Sequence, residues 1–139
     1  MLKCADLIRR PPVSLSETAT IRDVARELAR NRVGIVVLTS RSDPRRPVAV
    51  ISERDVVRAV AEHVDPERPA VEVARKPPVT ALDTDPIWVA AERMREHKIR
   101  HLVIVNRDGE LVGVISVRDL CFERAVLQEL LKEEYMLWG

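Results

Sequence analysis

The chain contains the same short segment twice. Arg10-Pro11-Pro12-Val13-Ser14 recurs as Lys76-Pro77-Pro78-Val79-Thr80, and the same shift along the chain relates the residues that follow each copy. Each copy then continues to a Ser-x-x-Asp motif, at 52–55 in the first copy and at 116–119 in the second. A tandem repeat of this length predicts two similar units that pack together about a pseudo-twofold axis. A ligand in the groove between such units would contact two related sets of residues.

The hydrophobic pattern predicts the same order of elements in both copies, which we place at 5–63 and 71–131. Residues 64–70, with two prolines, form the predicted linker. Each copy reads as strand, helix, strand, strand, helix, so the predicted fold class is α/β (α+β). Each copy contains two apolar runs that are typical of strands buried on both faces. They lie at 35–39 and 48–51 in the first copy, and at 102–105 and 111–115 in the second. The first strands are predicted to begin at Val13 and Val79.

Two predicted helices have buried faces of matching spacing. The apolar residues fall at i, i+3, i+4 and i+7 in both copies: Ile21, Val24, Ala25 and Leu28, then Ile87, Ala90, Ala91 and Met94. Thr20 and Asp85 are the predicted helix caps, with Pro86 in the first turn of the second helix. Gly109 is expected to supply a positive φ in a hairpin turn at 106–110.

The tail, residues 122–138, reads as an amphipathic helix whose end, 132–139, lies beyond the second copy. Its apolar stripe is expected in the core or on a self-association surface. Trp138 ends this tail, and Trp88 stands beside a buried-face residue. Both are candidates for a partner surface, with core packing as an even alternative for Trp88.

Composition narrows the class of protein. The apolar content of 46% in 139 residues is enough for a core, whereas a net charge of +1 argues against binding to nucleic acid through bulk electrostatics. No apolar run reaches the length of about 20 residues that a membrane span needs, and the N-terminus lacks a signal peptide, so we expect a cytoplasmic protein. The many arginines and few amides fit either a thermophile or GC-rich codon usage.

Few residues suggest catalysis or metal binding. Cys4 and Cys121 do not form a metal-binding pattern, and we expect two buried thiols, with a disulfide as the alternative. The sequence contains no Walker-type phosphate loop and no His-x-x-x-His zinc spacing, and its three histidines are scattered. We therefore predict a protein that is not an enzyme.

Both copies, each ending in a Ser-x-x-Asp motif and the second in Gly-Val-Ile-Ser-Val-Arg-Asp (113–119), resemble the cystathionine-β-synthase (CBS) domain family. Two such units form a Bateman module, and this chain resembles the stand-alone type, from about residue 6 to residue 130. The resemblance implies regulatory binding of AMP, ADP or ATP, ahead of S-adenosylmethionine, in clefts between the repeats. It also implies a homodimer, an unknown regulated protein as partner, and no catalytic cofactor.

The resemblance also implies which residues form the nucleotide sites. The expected main site combines both copies: Val13, Ser14, Val33, Gly34, Ile35, Arg100, His101, Val114, Ser116, Arg118 and Asp119. The expected second site reverses their contributions: Val79, Thr80, Ile99, Ser52, Arg54 and Asp55. We expect the main site to dominate, because only the second copy has the family's glycine, at Gly113, and because the first copy has a longer loop.

Each of these residues also has a purely structural interpretation. A Ser followed by an Asp three residues later is typical of a helix capping box, which needs no ligand. In the functional interpretation, the Ser and the helix start face a phosphate, the Asp binds the ribose hydroxyls, and the Arg neutralises the phosphate. Two other functions remain open: a structural dimer that docks on another protein with vestigial clefts, and nucleic-acid binding through the arginine pairs at 9–10 and 45–46. The scarcity of aromatic residues argues against the latter.

Overall fold

The structure, a computed structural model, describes residues 2–122 and comprises two βαββα units. The first contains β1 (Ser14–Ser16), α1 (Ile21–Asn31), β2 (Ile35–Thr39), β3 (Pro47–Ser52) and α2 (Glu53–Ala61). The second contains β4 (Thr80–Leu82), α3 (Ile87–His97), β5 (His101–Val105), β6 (Leu111–Ser116) and α4 (Val117–Phe122). The predicted order of elements is confirmed. The predictions for the tail, for Trp138 and for the Cys121 side chain lie outside the described residues and side chains.

Both units build a three-stranded sheet with the same topology. The sheet orders are β1-β2-β3 and β4-β5-β6, with the first pair parallel and the second pair antiparallel. Ser14 lies opposite Val37 in one sheet, and Thr80 lies opposite Val103 in the other. Ser14 and Thr80 are equivalent positions of the repeat, as are Val37 and Val103, so the repeat extends to the register of the strands.

The two sheets face each other across a shared apolar layer. Ile35, Val37 and Val50 of the first unit pack with Val103 and Val105 of the second. All five residues of β2 are buried, as its continuous apolar run predicts. Each unit also has a separate core between its sheet and helices. The interface between the units is therefore a core layer.

The segments that precede the first strand of each unit are exchanged between the units. A short 3₁₀ helix, Cys4–Leu7, lies in the core of the second unit, where the Cys4 N–H donates to the carbonyl of Asp85 at 2.8 Å. In return, Ala70, Val73 and Ala74 pack on the core of the first unit. The predicted boundaries of the copies do not reflect this exchange. Burial raises the pKa of the Cys4 thiol to about 11, as expected for an unreactive core cysteine.

The capping prediction is confirmed for α1 and wrong for α3. The Thr20 hydroxyl accepts a hydrogen bond from the Asp23 N–H at 3.1 Å, in a capping box. Helix α3 instead begins after Pro86, without a side-chain cap. The carboxylate of Asp85 accepts a hydrogen bond from the Leu82 N–H at 2.8 Å, and this bond closes the turn before the helix. Asp85 thus stands one residue before the N-cap position, which Pro86 occupies, and its side chain is engaged in this turn instead of capping α3.

The predicted buried face is correct in α1 except for Ala25, which is half-buried, and it is narrower in α3. Ala91 is exposed there, while its neighbours on the predicted face remain buried. Trp88 is 61% exposed, so the structure places it on the surface rather than in the core. In the described part of the chain, no helix has the length and apolarity that crossing a membrane requires.

Positive φ angles mark corresponding positions of the two units. Arg32 ends α1 with a φ of 53°, and Lys98 ends α3 with a φ of 54°. Glycine or asparagine is the usual residue at such a left-handed helix end. Gly109 has a φ of 78° in the hairpin turn, as predicted. Both helix ends thus carry a cationic side chain where a glycine would be less strained.

Candidate nucleotide-binding clefts

Two clefts lie between the units, on either side of a shared wall. The large cleft has a volume of about 1380 Å³ and the small cleft about 370 Å³. Gly34, Ile35 and His101 line both. Pockets for small organic ligands usually measure about 300–1,000 Å³. The small cleft lies at the lower end of this range, and the large cleft exceeds it.

Each cleft joins the helix start of one unit to the Pro-Pro segment of the other. The large cleft lies between the start of α2 in the first unit and residues 73–80 of the second, together with the end of α3. The small cleft lies between the start of α4 in the second unit and residues 9–13 of the first, together with the end of α1. The crossed arrangement that the resemblance implies is therefore present in the geometry of both clefts.

Most residues of the expected main site lie together in the small cleft. These are Val13, Val33, Gly34, Ile35, His101, Val114, Ser116, Arg118 and Asp119. Ser14 is exposed on β1 and lines neither cleft. Arg100 lines the large cleft instead, because it continues the segment of Lys98 and Ile99 on that side of the wall. The assignments of Ser14 and Arg100 to the main site are corrected accordingly.

The expected second site lies entirely in the large cleft, whose lining includes Val79, Thr80, Ile99, Ser52, Arg54 and Asp55. The expected main site thus lies in the smaller of the two clefts, whereas its predicted dominance rests on Gly113 and on the longer loop of the first copy. That dominance concerns affinity, which volume alone does not determine, so it stays a prediction.

The Ser-x-x-Asp motifs form capping boxes in both units. The Asp119 Oδ2 accepts hydrogen bonds from the N–H of Ser116 at 2.7 Å and from its hydroxyl at 3.2 Å. The Asp55 Oδ2 does the same with Ser52, at 2.8 and 3.0 Å. Each motif therefore stabilises the start of its helix, as the structural interpretation predicts.

The second carboxylate oxygen differs between the two motifs. The Asp55 Oδ1 accepts a hydrogen bond from Nη1 of Arg58 at 3.4 Å. Within residues 2–122, no hydrogen bond or ion pair reaches the Asp119 Oδ1. Capping uses only one oxygen of each carboxylate, so the cap and a bond to a ligand hydroxyl are compatible in the same residue.

His101 stands in the wall between the clefts. A β-carbon at position 34 would come within 2.9 Å of its Cε1 and 3.0 Å of its Nε2, so Gly34 provides the space that this imidazole occupies. Burial lowers the pKa of His101, and Arg100 adds to this effect, whereas Glu53 and Asp119 oppose it. The residue faces charged groups of both clefts and is a candidate link between them.

Cationic side chains line both clefts, and the sequence-based prediction omitted most of them. The large cleft has seven Arg and Lys side chains and two carboxylates. The small cleft has Arg9, Arg10, Arg32 and Arg118 against one carboxylate, that of Asp119. The repeat contained a signal for these cations, because Arg9 and Arg32 recur in the second copy as Arg75 and Lys98. In the described part of the chain, no group of His, Cys, Asp and Glu side chains is arranged to hold a metal ion.

Comparison with known families identifies the fold. The family model of the CBS domain matches residues 4–62 and 70–125. The chain therefore belongs to the CBS domain family, and its two units are a CBS domain pair. The mixed α/β fold with two three-stranded sheets is the fold of such pairs.

Two solved structures illustrate the range of this similarity. The CBS domain protein PAE2072 from Pyrobaculum aerophilum, complexed with AMP, is 62% identical, with 94% of this chain and 99% of that chain covered and a TM-score of 0.91. The CBS domain pair of protein MJ0100, in complex with 5′-methylthioadenosine and S-adenosyl-L-methionine, is 18% identical, with 86% and 93% covered and a TM-score of 0.78. At this lower identity, the similarity shows the fold alone.

A curated relative, an uncharacterized 17.7 kDa protein of Acidianus ambivalens, is 33% identical over 78% of this chain and 63% of its own length. The uncharacterized protein MK0525 of Methanopyrus kandleri is 27% identical over 93% of this chain and 66% of its own length. The chain thus spans just under two thirds of the length of these relatives.

Proposed function

We propose that this CBS domain pair is a regulatory protein that binds adenine nucleotides, AMP, ADP or ATP, in the clefts between its units. The observation that carries the proposal is the build of each cleft. A capped helix start with a carboxylate faces a cationic Pro-Pro segment from the other unit. The AMP complex of the Pyrobaculum aerophilum relative, at 62% identity, supports the same ligand class.

The proposed roles of the side chains follow from their chemistry. Ser116 and the start of α4 face the phosphate, and Arg118 supplies positive charge there. Asp119 accepts hydrogen bonds from the ribose hydroxyls through the oxygen that the cap does not use. Residues 33–35 and 99–101 lie against the base. In the large cleft, Ser52, Arg54 and Asp55 take the corresponding roles, beside Thr80.

Regulation is proposed to act through the position of the ligand between the units. A nucleotide that contacts both units binds one relative arrangement of them more tightly than others, and so favours it. Helix α2 carries Arg54 into the large cleft and also exposes Val57 and Val60, at 67% and 64%. Apolar side chains exposed on the same helix suit a protein partner, and a homodimer is the first such partner that we propose.

Calorimetric titration of nucleotide-stripped protein tests this function. AMP, ADP and ATP are each expected to bind with micromolar affinity and to raise the melting temperature, with GMP as the control for recognition of the base and S-adenosylmethionine as the competing ligand class. Absence of binding at millimolar nucleotide would contradict the proposal and leave the two motifs as helix caps. Sedimentation equilibrium of the same sample tests the homodimer, which a monomer at tens of micromolar protein would exclude.

A further inference from the structure

Some of the cationic side chains in the two clefts occupy equivalent positions of the repeat. Four cations of the small cleft have a cationic counterpart in the large cleft: Arg9 and Arg75, Arg10 and Lys76, Arg32 and Lys98, Arg118 and Arg54. These pairs occupy equivalent positions of the repeat, by the same correspondence that relates the strands and the helix starts. Both clefts thus share a basic set of charges that suits a phosphate group.

The large cleft adds three cations to this set. Arg93 and Arg58 line it, and the equivalent positions of the other unit hold Glu27 and Phe122. Arg100 also lines it, at the position where the first unit has Gly34. Even after its two carboxylates are subtracted, the large cleft has a formal excess of five positive charges, against three in the small cleft. The added charge therefore distinguishes the clefts, beyond what the symmetry of the fold requires.

Within the described part of the chain, most cations of the large cleft have no anionic partner. Arg58 pairs with Asp55 at 3.4 Å, and Arg93 with Asp85 at 3.6 Å. Five side chains form no ion pair or side-chain hydrogen bond within residues 2–122: Arg54, Arg75, Lys76, Lys98 and Arg100. Like charges that are gathered in one concave surface repel one another, and a bound anion relieves this repulsion.

The backbone supports a ligand site in both clefts alike, since Arg32 in the small cleft and Lys98 in the large cleft share a left-handed φ. At Lys98 the φ of 54° is unfavourable for a residue with a β-carbon, and glycine would avoid this cost. Lysine nonetheless occupies the position, and its side chain lines the large cleft. Strained residues of this kind concentrate at ligand sites.

Charge and volume together point to different ligands for the two clefts. We propose that the large cleft is a polyphosphate site, which binds the triphosphate chain of ATP, and that the small cleft is a monophosphate site, which binds AMP. This assignment rests on the proposed nucleotide function and adds the number of phosphates to it. A phosphate monoester carries about −1.5 to −2 charge at neutral pH, which the basic set of the small cleft neutralises. The larger anion requires the additional cations and space of the large cleft.

The test measures each ligand with only the large cleft intact. In Asp119→Ala protein, ATP is expected to bind at least tenfold more tightly than AMP at low ionic strength, and added salt is expected to weaken ATP binding more than AMP binding. Asp119→Asn is the second variant if loss of the cap unfolds the alanine variant. Adding Arg100→Gln is expected to weaken ATP binding at least threefold and to change AMP binding less than twofold. Arg107→Gln, which removes an exposed charge outside both clefts, is the matched control.

The other outcomes separate the two proposals. Equal affinities for AMP and ATP in the Asp119 variants would overturn the polyphosphate assignment and leave the nucleotide function standing. ATP binding that disappears in the Asp119 variants but persists in Asp55→Ala would overturn the assignment to the large cleft. If no nucleotide binds the unaltered protein, both the nucleotide function and the assignment fail.

Discussion

The large and small clefts are built on equivalent backbone segments of the two units, and they differ in the side chains that line them. Ser52 and Ser116 form the same capping box at the same point of the fold. The next residue is Glu53 in the large cleft, whereas Val117 follows in the second unit. Hydrogen bonds and register fix the backbone of both units, but the side chains that face a groove are free to diverge. A repeat can thus keep one architecture while its two sites acquire different ligands.

The largest expected effect separates capping from binding. Asp119→Ala should weaken binding in the small cleft at least tenfold, because a hydrogen bond from a ligand hydroxyl to a charged carboxylate is worth about 1.5–3 kcal/mol. Asp55→Ala should do the same in the large cleft only. Both variants should lose similar stability, about 1 kcal/mol, because each removes the same bonds to a serine. Titration with AMP and ATP, together with thermal unfolding, measures both quantities.

Asp23→Ala is the matched control for the cap. It removes the capping box with Thr20 at the start of α1, outside both clefts. Its stability should fall by a similar amount while nucleotide affinity stays unchanged. An Asp119→Ala variant that loses stability but retains full affinity would show that this carboxylate is only a cap.

The second prediction concerns the packing of Gly113. A β-carbon there would come within 2.7 Å of Cδ1 and 2.8 Å of Cγ2 of Ile8. Gly113→Ala should therefore destabilise the protein by about 1–3 kcal/mol. Without such a clash, the same substitution would stabilise it by about 0.4–1 kcal/mol, through the entropy of the unfolded chain. The sign of the change in denaturant midpoint thus tests the contact directly.

The first repeat suggests how to relieve this clash. The core of the first unit has Ala49 at the position equivalent to Gly113, and Ala74, which the second copy contributes to that core, at the position equivalent to Ile8. In an Ile8→Ala background, Gly113→Ala should cost much less than in the unaltered protein. A double-mutant cycle measures this coupling. Equal costs in both backgrounds would mean that Ile8 is not the residue that excludes the methyl group.

Periodicity and the repeat predicted most of the fold, because they depend on local patterns. The strands, α1 with its Thr20 cap and the turn at Gly109 are all local features. The exchange of N-terminal segments is not local. Nothing in the sequence of residues 4–7 shows that Cys4 and Leu7 fill the core of the second unit. The role of Gly113 was missed for the same reason, since its partner Ile8 is distant in sequence.

The sequence predicted which segments form the clefts better than it predicted which cationic side chains line them. The capping motifs and the Pro-Pro segments repeat visibly in the sequence, and the resemblance to the CBS family implied that they meet in crossed pairs. Arg100 was assigned to the wrong cleft because sequence alone does not show on which side of the wall a strand start lies. Arg93 was missed because no local pattern indicates that its face of α3 lies near a cleft.

The smallest expected effect concerns His101, the residue that both clefts share. Its pKa is lowered in the folded protein, mainly by burial, so the unfolded chain binds the proton more readily. Above the ordinary histidine pKa of about 6.5, where the imidazole is neutral in both states, His101 therefore does not lower the stability of the nucleotide-free protein. It makes the protein lose stability as the pH falls from that value through the lowered pKa. His101→Gln should reduce the drop in melting temperature between pH 7.5 and pH 5.5.

A phosphate bound in either cleft would favour the protonated imidazole, since an anion nearby raises the pKa of a histidine. Nucleotide should therefore make the unaltered protein less sensitive to acid than the free protein is. If the sensitivity to acid is the same with and without nucleotide, the phosphates lie too far from His101 for this residue to connect the clefts.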